Sequence, residues 1–202
     1  MDDVTGAGAD SPGDVWTLGW RSAVDLRAAL LGGAGLPELP FVPVRLEPGE
    51  TAHAELVLDY RRFYGTDVAY SQTSGFYFGS PVFVAASLAG QGLGNMAAKN
   101  RAEAQARAQW REHQRVTAYL TDTRLLALVD GHRWLSWWHA GAMQVHTLLE
   151  EWSVVQMFGD TEPLRWEGPA APWLAVALVD LVYGRDALAR HPGLAALAVP
   201  GG

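Results

Sequence analysis

The chain has 202 residues, 49% of them hydrophobic, with a mean hydropathy near zero, which suits one well-buried domain with appendages and is short for two. It contains no cysteine, which excludes disulfides, thiolate metal sites and a cysteine nucleophile. The net charge of -7 gathers at the start, where Asp2, Asp3, Asp10, Asp14, Asp25 and Glu38 face only Arg21 and Arg27, and the chain offers no basic face for nucleic acid.

Residues 1–14 are rich in Gly, Ala, Ser, Pro and Asp and read as a disordered acidic tail. Residues 15–44 read as a helix followed by a linker. Asp14 caps the helix, Trp16, Trp20, Val24 and Leu31 form an apolar stripe interrupted by Arg27, and Gly32-Gly33 stops it. The Pro-rich run from Leu36 to Pro43 then crosses in extended form. A first strand follows at His53–Tyr60, with Ala54, Leu56, Leu58 and Tyr60 on one face and Glu55 and Asp59 on the other; Arg61-Arg62 should end it. An insertion over 63–113 comes next. Its first part has no period, and its second, Pro81–Trp110, reads as a long helix capped by Ser80.

Six more strands are expected at Val116–Thr121, Arg124–Val129, Arg133–Trp138, Met143–Leu148, Trp152–Phe158 and Pro163–Trp166. Asp130-Gly131 supplies a two-residue hairpin turn, because glycine tolerates the positive φ it needs. An apolar helix from Pro172 to Tyr183 closes the pattern, its stripe formed by Leu174, Leu178, Leu181 and Val182, and 186–202 follow as a C-terminal tail. The fold class is therefore α+β and mainly β: a seven-stranded antiparallel barrel, helix-corked, with a helical insertion after its first strand.

This order resembles the pleckstrin-homology (PH) superfold, particularly its bacterial PH-like and GRAM-like members. Three phrases carry the likeness. Leu46-Glu-Pro-Gly-Glu50 looks like the L-x-P-G-E that opens many such domains, and Thr121-Asp-Thr-Arg-Leu125 looks like their T-x-x-R-L hairpin. The stretch from Pro163 to Val176 resembles their last strand and closing helix. The resemblance covers about residues 45–183, interrupted by the insertion, within a PH-like domain read as 45–185, and implies non-catalytic binding of lipid head groups or protein segments. Phosphoinositide-binding members place several Lys and Arg in the loop after the first strand. Here the insertion replaces that loop, with Arg61 and Arg62 at its entry and Arg111 and Arg115 at its exit.

Two binding surfaces compete. Ala86, Gly90, Gly94 and Ala98 recur every four residues, a small-residue stripe suited to close helix contact with the chain's own barrel or another chain, and Trp110 and Trp137 add aromatic area. Trp137-Trp138 are adjacent in a strand, so one indole must leave the interior, and the insertion helix is its expected partner. The rival surface is basic: Arg61, Arg62, Lys99, Arg101, Arg107, Arg111 and Arg115 as contacts for anions or lipid head groups.

Chemistry has less to stand on. His132, His139 and His146 are seven apart, which fits no metal-ligand pair, and all are expected at the surface. Asp180, lone in an apolar helix, should face solvent or pair with an arginine such as Arg124. The sequence holds no G-x-S-x-G, H-E-x-x-H or P-loop, and its Gly90-Gln-Gly92-Leu-Gly94 lacks dinucleotide spacing. The expectation is a cytoplasmic, non-catalytic recognition module without cofactor or metal, binding a protein partner or itself. Peripheral membrane contact is the alternative, and no transmembrane or secretory segment is read in the sequence.

Overall fold

The computed structural model describes residues 12–65 and 108–198. Helix α1 spans Pro12–Leu31: it begins two residues before the expected cap, so that Asp14 belongs to its first turn and not to a tail, and it ends where expected. Gly33 takes φ +94°, and the Ala34 amide reaches back to the Ala29 carbonyl at 3.0 Å, the bond that satisfies an orphan carbonyl at a helix end. Its buried face is Ala23, Leu26 and Leu30, with Trp20 and Val24 partly covered; Trp16 and Leu31 stay exposed.

Seven antiparallel strands follow: β1 Ala52–Tyr64, β2 Gln109–Thr121, β3 Arg124–Val129, β4 Arg133–Trp138, β5 Ala142–Leu148, β6 Ser153–Phe158 and β7 Leu164–Glu167. They form one sheet in the order β4-β3-β2-β1-β7-β6-β5. The closed barrel expected from the sequence is not what forms: β4 and β5 end the sheet and do not pair. A 3-10 turn at His139–Gly141 carries the chain from one end of the sheet to the other. Helix α2, Ala171–Tyr183, lies against β5 and β6, and its Tyr183 hydroxyl accepts the Val145 amide at 2.7 Å. A helix side chain thus occupies an amide of β5.

The core sits between sheet, α1 and α2. Tyr60, Trp137 and Trp166 meet with ring centroids 5.3–5.6 Å apart, and the Trp166 indole N–H donates to the buried Gln156 side chain at 2.9 Å. Leu174, Ala175, Val176, Ala177, Leu178 and Val179 of α2 are all fully buried, as a closing apolar helix should be.

Two further boundaries shift. Arg61-Arg62 does not end β1, and the expected insertion bounds of 63 and 113 move inward because β1 pairs with β2 through Arg62↔Arg111, Phe63↔Trp110 and Tyr64↔Gln109. The reason is neutralisation and stacking. Arg61 pairs with Glu167 at 2.8 Å, Arg62 with Glu162, and the Phe63 and Trp110 rings meet across the strands at 5.2 Å. Trp110 and Arg111 are therefore strand residues and not the end of a helix. The expected C-terminal tail also folds back, as helix α3, Arg185–Arg190, and a 3-10 segment, Pro192–Leu197. Leu188, Leu194 and Leu197 enter the core. The turn is pinned by Asp180, which pairs with Arg185 at 2.8 Å and not with Arg124, while the Arg185 guanidinium donates to the Leu30 and Ala34 carbonyls.

The first two resemblance phrases meet in space. Pro48-Gly49 makes a tight turn, with Gly49 at φ +84° and the Glu50 amide on the Glu47 carbonyl at 3.0 Å. The turn delivers the Glu50 carboxylate to Arg124, whose Nε and Nη2 donate to its two oxygens at 2.8 Å each. Thr121 Oγ1 at 2.7 Å, Thr123 Oγ1 at 3.0 Å and the Glu47 amide at 2.7 Å complete the shell. Burial alone would raise the Glu50 pKa, but these donors, Arg124 foremost, hold it down at about 2.

Candidate functional site

One patch of exposed apolar surface lies on the leading turns of α1, beside Val57 of β1. Val15, Trp16 and Leu18 are all exposed on the leading turns, whereas further along the same helix buries Ala23, Leu26 and Leu30. The exposure follows from a close crossing. At Gly19 an added Cβ would lie 2.0 Å from the Pro169 carbonyl oxygen, so α1 touches the β7–α2 loop backbone to backbone and its amino-terminal turns project beyond it.

Facing that overhang is Trp152, at the corner before β6. It adopts φ +49° and ψ +45°, a left-handed conformation that is costly for a bulky side chain. The corner is fastened by the Trp152 amide on the Leu149 carbonyl and by the Gly168 amide on the Trp152 carbonyl, both at 3.0 Å. The strained backbone turns the indole onto α1, where it meets Trp16 edge-on at 4.8 Å and Trp20 at 5.6 Å. Trp16, Trp20, Val24 and Trp152, with Thr17 and Arg21 at the rim, line an open cavity of about 510 Å³. On the other side of Trp16 a second recess of about 230 Å³ is lined by Val15, Val57, Asp59, Arg115 and Glu167 among others. Trp16 is thus a partition between two recesses.

The basic residues expected to contact anions are largely engaged where the structure describes them. Arg61 holds Glu167, Arg62 holds Glu162 and lies 3.8 Å from Glu112, and Arg165 holds Glu151 at 2.7 Å and Glu167 at 2.9 Å. Arg111 donates to the Tyr64 carbonyl at 3.0 Å and stacks over its ring. Arg115 lines the second recess. Lys99, Arg101 and Arg107, and the small-residue stripe Ala86, Gly90, Gly94 and Ala98, lie outside the described residues. Among the described residues the hairpin end is therefore an arginine–glutamate lattice.

No protein-family model matches the chain, and no curated protein or solved structure matches it.

The aromatic expectations divide. Trp137 is 7% exposed and belongs to the core; its neighbour Trp138, 46% exposed, is the indole that leaves, and it covers the Arg124 guanidinium at 4.7 Å. Trp110 is half-buried against Phe63. His132 falls in the β3–β4 turn and His146 on an exposed face of β5, as expected, but His139 is buried. Its Nε2 lies 3.0 Å from the Thr121 carbonyl, and burial pulls its pKa below the ordinary histidine value. Among the described residues no three His, Asp or Glu side chains gather to hold a metal, and no described helix is long and apolar enough to cross a membrane.

Sequence reasoning placed Trp152 in a strand and missed the groove. Nothing local marks a tryptophan for left-handed backbone; only the packing of α1 requires it. Trp16 and Trp20 were visible as one helical face, but not that the first half of that face would project beyond the core.

Proposed function

We propose that this chain is a PH-like recognition module that binds an apolar segment of a partner protein in the groove walled by Trp16, Trp20 and Trp152. The single observation that carries this reading is Trp152, held in a costly backbone conformation that adds an aromatic wall to a surface groove. Strained residues cluster at binding sites, and indoles are the commonest anchors of protein recognition. The strand order, with β1–β4 on one side of the β1–β7 pairing and β5–β7, covered by the closing α2, on the other, supports the PH-like reading.

Charge favours a protein over an anionic bilayer. Charged residues of both signs surround the two recesses, Arg21 at the first and Arg115, Asp59 and Glu167 at the second, and the chain is acidic overall. The hairpin arginines that would meet lipid phosphates already hold glutamates. The module would then work in the cytoplasm as an adaptor, its aromatic groove selecting shape and the mixed charges of the neighbouring recess setting register.

A photo-crosslinker placed at Arg21 in the native host should capture one protein species. Trp16→Ala should weaken that association by about 2 kcal/mol, a hot-spot value. Because Trp16 is itself 39% exposed, the same change should move stability by less than about 1 kcal/mol. Salt-sensitive co-sedimentation with acidic vesicles, or a crosslink indifferent to Trp16→Ala, would hand the function to the membrane or to another surface.

A further inference from the structure

The two ends of the open sheet are not equivalent. At β5 the Val145 amide is taken by Tyr183, and the strand is irregular between Ala142 and Gln144. Bulges and covering helices are standard protection for an edge. At β4 the register with β3 runs without interruption from Arg124↔Trp138 to Val129↔Arg133. The strand reads Arg133-Trp-Leu-Ser-Trp-Trp138, with no proline, no lysine and no bulge. Its one charge, Arg133, is neutralised by Asp130 at 3.0 Å.

Register fixes which backbone groups face outward. The His139 amide donates to the Thr123 carbonyl at 2.9 Å, so residues 139 and 123 form a hydrogen-bonded pair. Alternation along an antiparallel ladder then makes Trp138, Ser136 and Trp134 the non-hydrogen-bonded positions toward β3. Their amides and carbonyls point away from the sheet, and none pairs with another described backbone group. The side chains of these three residues are exposed on the outer face, where Trp134 rests on Tyr119 at 5.8 Å and Trp138 on Arg124.

We infer that β4 pairs antiparallel with β4 of a second copy about a two-fold axis through Ser136. The spacing is self-complementary. With Ser136 opposite Ser136 of the second copy, each Trp134 stands opposite a Trp138, and all three outward residues become hydrogen-bonded pairs. Aromatic pairs across strands are favourable, and a two-fold interface must present the same patch from both sides. Charge is compatible as well, since the neutralised Arg133 is the only ionic group on either strand. A foreign strand would meet the same hydrogen bonds but not the matched tryptophan spacing. Two six-residue strands bury less than the roughly 1,200–2,000 Å² of a standard interface, so the dimer is weak and concentration-dependent.

Sedimentation equilibrium over a wide concentration range tests this. The wild-type mass should climb toward twice the chain mass. Ser136→Lys sets like charges on the axis and should raise the dissociation constant about tenfold or more; it also removes the acceptor of the Arg124 Nη1 contact at 3.4 Å. Should that variant fold poorly, hydrogen exchange of the wild type replaces it: the amides of Trp134, Ser136 and Trp138 should gain protection as concentration rises, while that of His146 does not. Trp16→Ala should leave the mass unchanged, which separates this interface from the groove. A wild type that stays monomeric at every concentration, or Ser136→Lys that associates like the wild type, overturns the proposal.

Discussion

Glu50→Gln lowers the stability of this chain by about 3–5 kcal/mol, read as an earlier urea midpoint, because it strands the Arg124 charge. The side chains of Glu50 and Arg124 are 1% and 8% exposed, so water cannot compensate either group. Glutamine retains shape and one acceptor, which isolates the loss of charge. The double change Glu50→Gln with Arg124→Met should recover much of the loss, since removing both ions also removes the cost of burying them. Acid should act in two steps. His139 is buried and Asp122, His53 and Glu50 lie around it; burial lowers its pKa, against which the Thr121 hydrogen bond works. The unfolded chain therefore takes up that proton first, and stability begins to fall as pH drops below the ordinary value of 6.5. Glu50 is held down at about 2, so its contribution is complete above 4.5 and is lost between 4.5 and about 2. Urea midpoints from pH 7 to 3 should show both slopes, the upper one reduced by His139→Gln and the lower one by Glu50→Gln.

What the sequence made legible was whatever a local period or turn residue encodes. All seven strands were visible as short alternating or apolar runs bounded by turn residues, and Gly131 takes the expected positive φ, +71°, with Asp130 beside it at +55°. The α1 stop at Gly32-Gly33 and the apolar α2 were equally local. Closure was not legible: nothing in β4 or β5 says that Tyr183, thirty-eight residues on from Val145, will take an edge amide. Nor was the reach of β1, because two consecutive arginines look like a terminator until their glutamates arrive from β7 and the β6–β7 loop. Glu50 and Arg124 were each noticed inside separate phrases, yet their meeting depends on β2 and β3 bringing residue 124 beside a turn 74 positions earlier. The candidate groove was least visible of all, since it is made by a backbone crossing at Gly19 and a strained residue at 152.

That crossing yields the second large effect, and its sign can be tested within one helix. Gly19→Ala should destabilise the docking of α1 by about 1–3 kcal/mol, because the new methyl would sit 2.0 Å from the Pro169 carbonyl oxygen and 2.8 Å from its carbon. Both are backbone atoms, so no side-chain rotation can relieve the overlap, and either α1 or the β7–α2 loop must move. Gly13→Ala, six residues earlier in α1, meets nothing within 4 Å and should stabilise by about 0.5–1 kcal/mol through helix propensity alone. Opposite signs from one chemical change would isolate the close approach as the cause. Displacing α1 also pulls Trp16 and Trp20 off Trp152, so Gly19→Ala should shift indole fluorescence and weaken capture of the partner while Gly13→Ala leaves both unaltered. Gly19→Ala that melts like the wild type and keeps its fluorescence would mean that the helix is not held where the groove needs it.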